Sequence, residues 1–250
     1  MKRSVQLGMV MLALSFMTSV SYAQKRAISS QDKSFLIEFI PKIISANQEV
    51  QTDRNRILTC KDEYQRTGKL TDEDEVFLSK TSSKYDINSF KLDDENDQPA
   101  FLKELSDLLL RVDIIPTKLV MAQAICESAW GRSYFAEHGN NFFGIHCYSK
   151  GCGLVPSGNP NGGFEVKSYP TIEAGIADYI HTLNTVSAYA RIRSMRAQMR
   201  QEKQPVSATQ LAEGLSRYSQ KGEEYVSLIQ NLIHNYVPEN IESFIETNKE

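Results

Sequence analysis

After residue 20 the chain contains no long apolar run. A helix that spans a bilayer needs about 20 such residues, so no crossing segment is expected beyond that point. Positive charge is not in excess either: 28 Lys and Arg stand against 31 Asp and Glu, a formal net charge of -3. Nucleic acid and anionic membrane surfaces are therefore not expected partners. His138, His146, His181 and His234 show no catalytic-triad spacing and read as ordinary surface or core residues. The four cysteines form no paired zinc-ligand pattern, although His146 adjoins Cys147. Nothing implies a metal or any other cofactor. No internal repeat or low-complexity tract is present.

The start of the chain has its own character. Met1-Lys2-Arg3 is basic, Leu7 to about Val20 is apolar, and Ser21 and Ala23 are small residues where a signal peptidase reads. The pattern predicts a secretory signal peptide over residues 1–23. Its removal takes Lys2 and Arg3 with it and moves the formal net charge from -3 to -5. The expected location is periplasmic or secreted, with no integral membrane segment after cleavage. Four cysteines suit such an oxidising compartment. Cys147 and Cys152 flank Tyr148-Ser149-Lys150-Gly151, a loop long enough to close as a local disulfide. Cys60 and Cys126 either pair with each other or stand apart, Cys126 then being a small buried residue.

Residues 24–98 read as a charged helical N-terminal extension. Phe35, Leu36, Phe39, Ile40, Ile43, Ile44, Val50, Ile57 and Leu58 recur at helical spacing. Pro41 is expected to kink that helix or to start a second one. Thr71 caps an acidic helix start that runs on through Val76, Phe77 and Leu78. The acidic run 93–97 serves either as a linker or as another capped start. Residues 99–250 are denser. Helices are expected over Pro99–Val112 and from Pro116 to about Ala129, with Gly131 as the stop. More follow over Ile172–Leu183, Arg191–Arg200, Ser207–Leu215 and Glu223–Tyr236. Arg191, Arg193, Arg196 and Arg200 read as a solvated helix face or as contacts for anionic peptide stems. Between Asn140 and Ser168 the helical period vanishes. Glycines and prolines punctuate a hairpin-like lobe there, and Phe164–Tyr169 returns as a strand. The expected fold class is mainly α with α+β character: a helical domain carrying one small β-hairpin lobe, preceded by the helical extension.

Glu127 carries the chemistry. It lies in the last turn of a small, apolar helix, where the negative end of the helix dipole and low-dielectric neighbours both raise its pKa. A carboxylic acid that keeps its proton near neutral pH can protonate a glycosidic oxygen. Gln123 is four residues earlier and shares its face. Trp130, the single tryptophan, reads as core packing.

Several ordered elements resemble the bacterial glucosaminidase family. Gln123-Ala124, Glu127-Ser128 and Trp130-Gly131 match its signature around the acid, and Asn140-Asn141-Phe142-Phe143-Gly144-Ile145 resembles its next element. Phe164 to Tyr169 and Ile176-Ala177-Asp178-Tyr179 resemble a third, while Tyr189, Tyr218 and Tyr225 fall where the family has tyrosines. The resemblance covers about residues 100–237. The long extension and the Cys147–Cys152 loop look like its periplasmic, Bax-like branch. It implies a lysozyme-like fold that hydrolyses β-1,4 bonds of peptidoglycan after N-acetylglucosamine, with glycan strands as the partner. By residue it implies Glu127 as general acid, Tyr218 beside the reacting sugar, and Asn141 and Phe142 in the cleft wall. Gln123 and Tyr189 are further candidate substrate contacts, whereas Tyr225 reads as helix packing. The N-terminal helices are candidates for covering the cleft or binding a partner protein. Two departures stand out. Residues 146–163 contain no Asp or Glu, and Ser219-Gln220-Lys221 replaces the family's sequence after Tyr218. Water activation is then left to Glu165, to Asp178 or to the substrate's acetamido group. A glycan-binding module on an inactive scaffold is the alternative function.

Overall fold

The computed structural model describes residues 28–87, 98–158 and 162–248. The expected signal peptide and the acidic run 93–97 lie outside them. The first helix, α1, spans Ser30–Thr67. The Ser29 side chain accepts from the Asp32 amide at its start, and Gly68, at φ 70°, closes its end. Leu36, Phe39, Ile40, Ile43, Asn47, Val50, Ile57 and Cys60 form its buried stripe. Pro41 starts no second helix: α1 runs through it, with Pro41 on the exposed side and Ile40 and Ile43 locked in the core. A proline inside a helix costs about 3 kcal/mol, and burial of that stripe offsets it.

Helix α2 (Asp72–Lys84) starts at the expected Thr71 cap. Helices α3 (Gln98–Arg111) and α4 (Thr117–Ser128) follow. Helix α4 is the centre of the molecule. Every residue from Leu119 to Ile125 is buried, and α1 and α9 (Glu223–Asn235) pack against it. Its alanines Ala122 and Ala124 let these neighbours approach closely. Around this centre lie α6 (Ile172–Thr185), α7 (Ala190–Gln201) and the short α8 (Ala208–Leu211), which passes into a 3-10 turn over Ala212–Leu215. Two short helices had no counterpart in the sequence reading: α5 (Tyr134–Gly139) and α10 (Ile241–Thr247).

The β-lobe is a three-stranded antiparallel sheet in the order β1-β3-β2, formed by His146–Cys147, Gly153–Leu154 and Glu165–Lys167 as β1, β2 and β3. His146 pairs with Val166 and Gly153 with Lys167. The fold is thus mainly helical with a small β-lobe, as expected. Among the described residues no helix is long and apolar enough to cross a membrane.

One apolar cluster joins α1 to the later helices, from Leu36 through Leu119 and Tyr179 to Val237. Polar contacts fix the register. The Asn47 amide donates to the Ile115 carbonyl at 2.8 Å and accepts from the Ile115 N–H at 3.1 Å. Lys42 pairs with Glu173, and Arg132 with Asp32.

Two of the four α7 arginines correct the expectation of a solvated face, while Arg191 and Arg200 are exposed. Arg193 and Arg196 are 6% and 1% exposed. Arg196 donates to the carbonyls of Asp113, Ile114, Leu110 and Arg111 and to Asn184 Oδ1. The buried carboxylate of Asp113 collects Arg200 at 2.6 Å, Arg54 at 3.4 Å and Arg196 at 3.6 Å. Burial lowers the Arg196 pKa to about 10, with Asp113 opposing the fall.

Candidate active site

Glu127 is the penultimate residue of α4. The next residues outside the helix, Ala129, Trp130 and Gly131, all have positive φ, at 51°, 62° and 77°. Such a left-handed run ends the helix abruptly. Ser128 Oγ holds it by donating to the Ala124 carbonyl at 2.6 Å and accepting from the Gly131 N–H at 2.7 Å. Helix α1 closes over it: a Cβ added to Gly131 would lie 3.0 Å from the Phe35 ring. Trp130 lies edge-on to Phe35 and Tyr236, as the packing reading expected.

The Glu127 side chain is half-buried. Its Oε1 accepts a hydrogen bond from the Tyr225 hydroxyl at 2.7 Å. Its Oε2 has no hydrogen-bond partner among the described residues and lies beside Gly144, where an added Cβ would be 3.9 Å away. Burial pushes the Glu127 pKa above the ordinary carboxylate value, while the Tyr225 hydrogen bond and the Lys221 charge oppose the rise.

Behind Tyr225 stands a wall of aromatic rings. Tyr218 stacks on Tyr225 at 5.6 Å and 6°, and donates to the Phe143 carbonyl at 2.7 Å. Tyr189 is 5.7 Å from Tyr218, and Tyr179 stacks on Phe143 at 3.9 Å. Burial raises the pKa of Tyr189, Tyr218 and Tyr225, and the Glu127 charge adds to the rise. Tyr218 and Tyr189 keep part of their surface in solvent. Both therefore remain beside the acid with surface available to a ligand.

Three expected substrate contacts are turned inward. Gln123 is fully buried, and both ends of its amide are engaged: Nε2 donates to the Tyr225 oxygen at 2.9 Å and Oε1 accepts from the Tyr179 hydroxyl. Asn141 is 2% exposed. Its Nδ2 donates to the Ile145 and Lys167 carbonyls, and its Oδ1 accepts from the Phe143 and Ile145 N–H groups. It shapes the turn that sets Gly144 beside the acid. Phe142 packs on Phe39 and Phe35 of α1 at 4.7 and 6.0 Å. With their polar atoms occupied or their rings buried, these side chains act behind the surface. Tyr225 packs as expected, 3% exposed and stacked on Tyr218, and its hydroxyl also holds the carboxyl group directly.

In the β-lobe, Cys147 and Cys152 form a disulfide with a Cα–Cα distance of 6.2 Å, while Cys60 and Cys126 are free. Burial pushes both free thiols up to about 11. The two Glu165 oxygens accept from the Gly151 and Gly153 N–H groups, each at 2.8 Å. These amides hold its pKa below the usual carboxylate range. Asp178 Oδ2 accepts from Tyr169 at 2.6 Å and from Lys167 at 2.9 Å. Cys147, Cys152 and Glu165 form a cluster of metal-ligand types, but the sulfurs are bonded to each other and the carboxylate to the loop. A cavity of about 760 Å³ opens at the other end of α4, around Pro116, Lys118, Ser207 and His234. None of the expected site residues lines it.

Residues 103–237 match the glucosaminidase family model, described as mannosyl-glycoprotein endo-beta-N-acetylglucosaminidase. The match takes in more than half of the chain, and the chain belongs to this family. It is also similar to Protein bax of Escherichia coli (strain K12), with 32% identity over 200 residues. That alignment includes 77% of this chain and 65% of the relative, so the chain spans less than two thirds of the curated protein it matches. No solved structure matches it.

Proposed function

We propose that this protein is a periplasmic or secreted peptidoglycan hydrolase that cleaves the β-1,4 bond after N-acetylglucosamine, with Glu127 as the proton donor. The observation that carries the reading is the state of Glu127. It is a half-buried carboxyl with a raised pKa, one oxygen held by Tyr225 and the other free beside Gly144. A raised pKa favours the protonated form, which can release its proton to the leaving group. Membership of the glucosaminidase family supports glycosidic hydrolysis. Tyr218, stacked on the Tyr225 that holds the acid, and Tyr189 next to it offer partly exposed rings for a sugar. Glu165 and Asp178 are engaged in hydrogen bonds and an ion pair, which favours water activation by the substrate's own acetamido oxygen.

The same engagement supports a second reading, a glycan-binding module with little turnover. Digestion of purified sacculi by the protein lacking residues 1–23, beside its Glu127→Gln variant, separates the two. Mass spectrometry of the reduced products should find new reducing-end N-acetylglucosamine from the wild type alone. Equal release by the variant removes Glu127 from the reaction. Binding without release from either supports the module.

A further inference from the structure

We infer that Gln123, oriented by Tyr179 and acting through Tyr225, decides which oxygen of Glu127 carries the acidic proton. This rests on Glu127 being the proton donor. The chain of hydrogen bonds has one direction. A glutamine amide has one accepting end and one donating end. Its Oε1 faces the Tyr179 hydroxyl, so Tyr179 donates. Its Nε2 then faces the Tyr225 oxygen at 2.9 Å and donates to it. The Tyr225 hydrogen is left to point at Glu127 Oε1, 2.7 Å away. A proton placed on Oε1 would confront that hydrogen, so the acidic proton belongs on Oε2, the oxygen beside Gly144.

Reversing the amide would reverse the chain. Tyr179 would then accept from Nε2, and its own hydrogen would lose its partner inside a fully buried site. An unsatisfied buried donor costs roughly 1–3 kcal/mol, which fixes the observed polarity. Tyr225 would meanwhile donate to Gln123 and accept from Glu127, turning the proton away from the open side. Gln123, Tyr179 and Tyr225 are therefore positioning residues. Their burial at 0%, 0% and 3% exposure keeps water from substituting for any of the links.

The other groups that face the Glu127 charge are Lys221 ahead of α9, Cys126 on α4 itself, and Tyr218 and Tyr189 from the aromatic wall. None of them bonds to the carboxyl group, so substitutions along the chain change a contact that they do not share.

The test follows the Glu127 carboxyl carbon by 13C NMR in protein labelled at the glutamate carboxyls, with Glu127→Gln for assignment. Gln123→Met, Tyr179→Phe and Tyr225→Phe are titrated beside the wild type, and sacculus hydrolysis is measured for each. Each substitution weakens or removes the donation that favours the ionised carboxyl. The Glu127 midpoint should move upward, most in Tyr225→Phe and least in Tyr179→Phe. The hydrolytic kcat should fall about tenfold in Gln123→Met with KM unchanged. A midpoint unmoved in both Gln123→Met and Tyr179→Phe overturns the inference. Tyr179→Phe alone decides if Gln123→Met does not fold. Upward movement in the variants, with a wild type that hydrolyses nothing, keeps the relay and rejects the proton-donor reading instead.

Discussion

Replacing Arg196 with Met should destabilise the protein far more than its place in an arginine-rich helix suggests. The side chain is almost fully buried and donates five hydrogen bonds, four of them to backbone carbonyls. Two of these carbonyls, Leu110 and Arg111, belong to the end of α3, where the helix supplies no internal partner. Met fills much of the volume but takes away the donor to the Leu110 and Ile114 oxygens, while Arg111 keeps the Asp113 N–H, and it removes one cation from the buried Asp113 carboxylate. Breaking a buried ionic cluster by removing one partner costs roughly 3–5 kcal/mol. In a chain of this size each kcal/mol lowers Tm by about 2–4 °C, so Arg196→Met should melt about 6–20 °C below the wild type. Circular dichroism at 222 nm during a thermal ramp measures it. A solvated arginine would change stability by no more than about 0.5 kcal/mol. A variant within about 2 °C of the wild type would therefore refute the buried-network account.

Three further outcomes are expected. Glu165→Gln should speed amide exchange at Gly151 and Gly153 while hydrolysis of sacculi continues; loss of hydrolysis with the fold intact would make Glu165 the water-activating base. Gly144→Ala forces a side chain into φ 67° beside Glu127 Oε2, at a cost of about 1–2 kcal/mol, and should lower both Tm and kcat; wild-type values for both would show that the turn is not constrained. For Glu127, folding raises the pKa, so its protonated form contributes stability below the unfolded value that disappears as pH rises through the folded one. Glu127→Gln should accordingly melt above the wild type at pH 8 and alongside it at pH 4, and an equal gap at both values would contradict the raised pKa.

Periodicity made most of the helices legible. The buried stripe of α1 and the Thr71 cap of α2 follow local rules that a sequence displays openly. Helices α5 and α10, seven residues or fewer, are too short to show a period. The second helix offered as one outcome at Pro41 does not form, because tertiary burial of the α1 stripe outweighs the local cost. Arg193 and Arg196 depart from a solvated face for a related reason. A guanidinium can be buried when distant carbonyls and a carboxylate await it, and those partners lie more than 80 residues earlier in the chain. At the site, the acid and its tyrosines were visible as residues, but their roles depend on direction. Gln123 and Glu127 share a helix face, yet only the position of α9 shows that Tyr225 joins them. Asn141 likewise reads as part of the cleft wall until its four backbone partners are located.

The attachments of α1 also set a schedule for the newly made chain. Its partners Ile115, Arg132 and Glu173 lie 68, 100 and 131 residues away from Asn47, Asp32 and Lys42 respectively. A polypeptide emerging from its N-terminus can cover the later part of this stripe with α2 and α3, but must carry the part around Phe39 uncovered until Phe142 and Phe143 have appeared. Contacts over such separations form late and slow folding. Until then the stripe is an invitation to self-association, so the yield of native protein should depend on a chaperone or on dilution during refolding more than on the final stability of the molecule.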